Sequence, residues 1–296
     1  MSAPSHIEKL KQGVAADVEG RRRLLSVPGC WDGLSALLIE QAGFEAAFLT
    51  GGGLSFARLG RPDMGLITAS ETADTVAQIR DRISIPLIVD GDTGFGNALN
   101  MQRTVRAFER AGASAIQIED QGFPKRCGHM AGKTVVPVGE AVGRVKAALD
   151  AREHMLVIAR TDAVSVEGFD SAMERAERFL EAGADLIFVE GPRTLEDTVR
   201  VGEVFSSRVP LVHNLVEGGV TATKEGAELE QMGFAIALHP LLLMHGFVKM
   251  APSLLASLKA NRSTVALEAD IASLSDLNRM TGAAALVDLG KHYDNS

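Results

Sequence analysis

A glycine-marked pattern recurs four times along the chain and limits what it can fold into. Gln41-Ala42-Gly43-Phe44, Arg110-Ala111-Gly112-Ala113, Glu181-Ala182-Gly183-Ala184 and Gln231-Met232-Gly233-Phe234 each stand just before a short apolar run. Glycine has no Cβ, so it takes the left-handed conformation that ends a helix at little steric cost. The repeating unit is therefore helix, glycine stop, strand. Strands are expected near 24–28, 46–50, 86–90, 115–119, 156–160, 186–190, 211–215 and 234–238. Amphipathic helices are expected at 97–111, 138–151, 169–182 and 194–206. Continuous apolar strands alternating with helices read as parallel strands buried on both faces. Eight of them favour a closed (β/α)8 barrel over an open doubly wound sheet.

The 296 residues suit one barrel of roughly 250 residues with terminal additions. We expect a single domain over 1–296, with the barrel at about 22–260 and a helical extension at about 261–296. An extra N-terminal helix is expected at 5–20, and a C-terminal helix running to about 291 after a polar break at 261–264. Hydrophobic residues make up 46% of the chain, which supplies a core and excludes global disorder. Thirty Lys and Arg face 38 Asp and Glu, a net charge of -8, which argues against nucleic-acid or anionic-membrane binding. No apolar run approaches the ~20 residues of a membrane span. With only two cysteines and no signal-like N-terminus, a cytoplasmic location is expected.

In a barrel the active site lies at the C-terminal strand ends. Here those ends read Thr50-Gly51-Gly52-Gly53, Asp90-Gly91-Asp92, Glu119-Asp120, Arg160-Thr161-Asp162, Glu190 and Asn214. Carboxylates crowded together repel, and a divalent cation relieves the repulsion. Oxygen donors without a His or Cys cluster point to Mg²⁺, with Mn²⁺ as the variant. The glycine turn after Thr50 is either a plain strand-to-helix connection or a set of backbone N–H groups for an anion. It lacks the spacing of a dinucleotide fingerprint. Cys127 lies between Arg126 and His129, with Lys125 and Lys133 near in sequence. Cations favour the thiolate, which makes this Cys a proton donor or nucleophile. Gly128 and Gly132 make the segment a plausible mobile loop. Cys30, beside Trp31, reads as a packed residue.

The set Asp90-Gly-Asp-Thr-Gly, Ile118-Glu-Asp-Gln, Lys125-Arg-Cys-Gly-His, Ala159-Arg-Thr-Asp-Ala and Asn214-Leu-Val-Glu-Gly-Gly resembles the isocitrate lyase/phosphoenolpyruvate mutase superfamily. The Lys-Arg-Cys-Gly-His motif resembles its lyase branch. The resemblance implies a barrel whose eighth helix is exchanged in a homodimer or homotetramer. It also implies Mg²⁺-dependent C–C cleavage of a small dicarboxylate 2-hydroxy acid. By the same resemblance Asp90 and Asp92 hold the metal, with Glu119 and Asp63 around it. Thr50, Gly51 and Gly52 take the keto-acid carboxylate, beside Arg160. Cys127 is the general acid on a gating loop with Gly128, and Glu190 positions His129 or the loop.

Asn214, Val216 and His239 are expected around the distal part of the substrate. A carboxylate facing Val216 would be costly, whereas an alkyl group suits it. Together with the loop motif, this resembles the 2,3-dimethylmalate lyase and petal-death-protein branch, and 2,3-dimethylmalate or another 2-alkylmalate is the expected substrate. Cleavage of methylisocitrate and hydrolysis or decarboxylation of oxaloacetate are the alternatives, with phosphonomutase chemistry and a non-catalytic binding role behind them. Phe48 stands where a Tyr base is found in methylisocitrate lyases, so Asp63 or a water must take the hydroxyl proton.

Overall fold

The computed structural model describes residues 4–128, 130, 132–219, 222, 223 and 225–294. Two compact units divide the chain, Met1–Leu243 and Met244–Ser296. The first is an eight-stranded barrel. Its strands are β1 (Leu25–Cys30), β2 (Ala47–Leu49), β3 (Leu87–Asp90), β4 (Ala115–Glu119), β5 (Leu156–Thr161), β6 (Leu186–Val189), β7 (Leu211–Asn214) and β8 (Ile236–His239). They pair in sequence order, and β1 closes on β8 through Leu25↔Ile236 and Pro28↔His239. Every pairing in the barrel is parallel.

Helix α1 (Ser5–Val14) precedes the strands, and the outer helices follow them: α2 (Gly33–Gln41), the short α3 (Gly51–Leu54), α4 (Ala69–Arg80), α5 (Ala98–Ala111), α6 (Val138–Ala151), α7 (Phe169–Glu181), α8 (Leu195–Phe205) and α9 (Gly226–Gln231). The recurring glycines act as read from the sequence. Gly43, Gly112, Gly183 and Gly233 all have φ between +83° and +103° and stand just after α2, α5, α7 and α9. Asn97 and Thr194 cap α5 and α8 with reciprocal side-chain and backbone bonds, satisfying N–H groups that the helices leave open.

Side chains alternate along each strand between two cores. Ile88, Ala115, Leu156, Ile158, Leu186, Phe188 and Val212 fill the barrel. Val89, Ile116, Val157, Ile187 and Val189 pack outward under the helices. Leu10 and Val14 of α1 join the interior cluster, so this helix covers the end of the barrel where the strands begin. It is shorter than the expected 5–20. Asp17 Oδ1 accepts from the N–H groups of Glu19 and Arg21, a local turn that competes with helix.

The second unit carries most of α10 (Leu242–Asn261), then α11 (Leu274–Thr281) and α12 (Ala283–Asp294). The helical extension expected after the break at 261–264 consists of two helices. Ser273 caps α11, and Gly282 ends it at φ +81°. No helix among the described residues is long and apolar enough to cross a membrane.

Candidate active site

The inward-facing positions change character where the strands end. Following Ile88, Ala115, Ile158, Phe188 and Val212 on the same face come Asp90, Gln117 and Glu119, Arg160, Glu190, and Asn214. One cavity at this end is lined by Thr50, Gly52, Asp63, Asp90, Glu119, Cys127, Gly128, Arg160, Asn214 and Val216, all expected from the sequence. Phe48, Gln117, Lys125, Arg126, Pro240 and Leu241 complete it.

The Cys127 loop leaves the barrel after β4 and returns through a bridge between Gln121 and Val135. Two lysines pin it. Lys125 Nζ lies 2.6 Å from Asp63 Oδ1 and 2.8 Å from Asp92 Oδ1. Lys133 Nζ lies 2.9 Å from Asp162 Oδ1 and donates to the carbonyl of Gly128. Gln121 clamps Arg126 with a donated bond to its carbonyl and an accepted bond from its N–H. The Cys127 N–H donates to the Asp63 carbonyl at 3.2 Å. A Cβ at Gly128 would lie 2.5 Å from Arg160 Nη2 and 3.1 Å from Glu190, so only glycine brings the loop this close. The loop therefore rests directly on Arg160.

Arg160 is fully engaged. Its Nε and Nη2 donate to Asp162 at 2.9 and 3.0 Å, and Glu119 and Glu190 approach at 3.5 and 3.4 Å. Burial alone would raise the Asp162 carboxyl, but Arg160 and Lys133 override it and hold it at about 2. Behind it, Asp120 accepts from Thr161 Oγ1, the Asp162 N–H and Arg175. Burial pushes the Asp92 carboxyl up to about 7 against the pull of Lys125, with Asp90 and Asp63 adding to the rise. Burial likewise holds Glu119 well above the usual range despite Arg160.

These residues fit a hard divalent cation. Asp90 Oδ2 and Asp92 Oδ1 converge on the space above Gly51, where a Cβ would meet them at 3.0 and 3.2 Å. Five carboxylates, Asp63, Asp92, Glu119, Asp162 and Glu190, pair with three cations, Lys125, Lys133 and Arg160, while Asp90 accepts from the Gly51 N–H. The described residues hold no cluster of three or more ligating side chains. The paired oxygens of Asp90 and Asp92 are the donors an ion such as Mg²⁺ would use, which takes one or two carboxylates and keeps its remaining ligands as water or substrate oxygens.

Several positions differ from the sequence reading. Lys125 and Lys133 were expected as the cationic setting of Cys127, yet both ammonium groups are committed to carboxylates. The Gly51 N–H donates to Asp90 Oδ2 at 3.2 Å, and Thr50 Oγ1 accepts from Gly53. The turn is thus partly bound to the barrel itself. Glu190 accepts from Asn214 Nδ2 at 2.7 Å and lies against Gly128, which fits a role in seating the loop. His239 is half-buried at the end of β8, where burial lowers its basicity. It does not line the cavity, because Ile236 and Leu238 are the inward positions of β8 and His239 falls on the outward face with Ala237. His129 lies outside the described residues. Sequence reasoning missed Asp162 as the partner of Arg160, and Gln117 altogether. The inward parity of residues 156, 158, 160 and 162 was the signal for the former.

Comparison with known proteins agrees with this arrangement. The family model for phosphoenolpyruvate phosphomutase matches residues 16–253. The chain is 38% identical over 274 residues to 2,3-dimethylmalate lyase of Eubacterium barkeri, covering 92% of this chain and 94% of that one. It is 43% identical over 237 residues to 2-methylisocitrate lyase of Aeropyrum pernix, covering 79% and 75%. A crystal structure of 2,3-dimethylmalate lyase superposes with a TM-score of 0.91 at 31% identity, covering 99% of this chain and 96% of that one.

Proposed function

The chain belongs to the phosphoenolpyruvate mutase/isocitrate lyase superfamily and is a carbon–carbon lyase; from that premise we propose that it cleaves a 2-alkylmalate, 2,3-dimethylmalate foremost, to pyruvate and a carboxylic acid such as propanoate. One observation carries the substrate choice. Cys127, Arg160 and the carboxylates share a single cavity whose lining includes the apolar Val216, Pro240 and Leu241. An alkyl branch can be buried there without loss, whereas a third carboxylate would be desolvated against those side chains.

Bound at Asp90 and Asp92, Mg²⁺ would supply a Lewis acid for the oxygen that becomes the keto group. The protein does the rest. Arg160, locked by Asp162, presents a fixed cation where negative charge develops. The substrate hydroxyl loses its proton to Asp63 or to a water, since Phe48 offers no base. As the carbonyl forms, the C2–C3 bond breaks and its electron pair moves to the carbon next to the second carboxylate. Cys127 on the closed loop protonates that carbon, and the loop keeps bulk water from competing.

The test is a panel. Purified protein with Mg²⁺ is given 2,3-dimethylmalate, methylisocitrate, isocitrate and oxaloacetate, and 2-oxo acid formation or loss is followed. Pyruvate should form fastest from dimethylmalate and stop with EDTA. Preference for methylisocitrate or oxaloacetate would move the substrate, and activity persisting in EDTA would remove the metal.

A further inference from the structure

We propose that Lys133 and Asp162 couple the seating of the Cys127 loop to the alignment of Arg160, which makes Asp162 a positioning residue for the cation that meets the substrate. This rests on the reading of Arg160 as that cation. Neither Lys133 nor Asp162 lines the cavity. Their side chains, 3% and 0% exposed, meet each other instead. Asp162 Oδ1 accepts from two donors that belong to different parts of the molecule. One is Lys133 Nζ of the loop, at 2.9 Å, and the other is Arg160 Nη2 of β5, at 3.0 Å. Asp162 Oδ2 accepts from Arg160 Nε at 2.9 Å, and two bonds to one carboxylate fix the plane of a guanidinium.

From the barrel side the carboxylate is held by its own backbone. The Asp162 N–H donates to Asp120 Oδ1 at 2.9 Å, and Asp120 Oδ2 in turn accepts from Thr161 Oγ1 and Arg175. On the loop side, Lys133 Nζ also donates to the Gly128 carbonyl, and a Cβ at Gly128 would lie 2.5 Å from Arg160 Nη2. The contacts close a ring: Gly128 to Lys133, Lys133 to Asp162, Asp162 to Arg160, and Arg160 back to Gly128. Breaking the ring at one member loosens the others, because a buried carboxylate that loses a cation is left with unmet charge. Charge balance alone does not call for this arrangement, since Glu119 and Glu190 already flank Arg160. What Asp162 adds is direction, and Lys133 secures that direction only while the loop is seated.

A double-mutant cycle on Lys133→Met and Asp162→Asn, read in two ways, tests the coupling. Without ligand, trypsin cutting at Arg126 reports how often the loop lifts. Each single variant should raise that rate about fivefold, and the pair should stay within about twofold of the faster single, since both changes break the same link. Factors that multiply in the double variant, or an Asp162→Asn protein cut at the native rate, overturn the proposal. With whichever acid of the panel is cleaved, Lys133→Met should raise KM about fivefold as well as lower kcat, although its side chain lines no part of the cavity. A fall in kcat at native KM is what a partly unfolded sample gives, and it too overturns the proposal. If Asp162→Asn fails to fold, Asp162→Glu, which keeps the charge and displaces both oxygens, takes its place in the cycle with the same expectations. Should no acid of the panel be cleaved, the proposed reaction fails, and non-additive cutting would still leave the link between loop and arginine standing.

Discussion

Cys127 and Cys30 show how surroundings assign roles to identical side chains. Cys30 is fully buried between strand and helix, where burial pushes its thiol far up and leaves it inert. Cys127 is partly exposed on a loop whose backbone hangs on Asp63 and whose next residue touches Arg160. If Cys127 delivers the proton, Cys127→Ser replaces a thiol by a far weaker acid. Turnover should drop about 10²-fold or more, with Mg²⁺ affinity retained, as measured by steady-state kinetics and calorimetry. A serine variant turning over at the native rate would take the acid role away from this residue.

At the scale of the element, the loop between β4 and α6 is a strap buckled at both ends. Lys125 and Lys133 are 4% and 3% exposed at their side chains, and each is paired with a buried aspartate. Removing one partner of a buried pair leaves the other charge unmet. Lys133→Met deprives Asp162 of one cation and the Gly128 carbonyl of its donor. The strap should then open more often. Limited trypsin digestion should cut at Lys125 or Arg126 several times faster than in the native protein, with the barrel's far-ultraviolet dichroism unchanged. Equal cutting rates would show that Gln121 and the glycine contact hold the loop without the lysine.

For the whole molecule, the end of the barrel away from the site carries a titrating group of its own. At the end away from the site, His6 of α1 bonds Ser114 Oγ through Nδ1 at 2.8 Å. Burial, with Arg80 and Lys9, lowers its pKa to about 4. The neutral ring in the fold contributes stability that is complete above the unfolded value near 6.5 and is lost as pH falls toward 4, because the unfolded chain takes up the proton first. His6→Gln keeps a hydrogen-bonding side chain without a titration. Native and variant melting temperatures should run parallel above pH 7 and diverge in the variant's favour between pH 6.5 and 4.5. Curves that stay parallel throughout would remove His6 from the pH response of this end of the barrel.

The sequence by itself determined the barrel and most of the mouth. Glycine helix stops mark four of the eight repeats, and period-two alternation puts Asp90, Glu119, Arg160, Glu190 and Asn214 on the inward face, because a strand turns every second side chain the same way. What it did not decide is who meets whom across the mouth. Lys125 and Lys133 read as a cationic halo for Cys127, yet the closed barrel brings Asp63, Asp92 and Asp162, from three separate segments, within reach of their ammonium groups. His239 reads as a pocket residue, yet it takes the outward parity of β8 while Ile236 and Leu238 point in. Gln117 reads as nothing at all, because a place on the cavity wall exists only once every neighbour is in place. Local spacing sets which face a side chain takes, and only the closed circle of strands sets its partners.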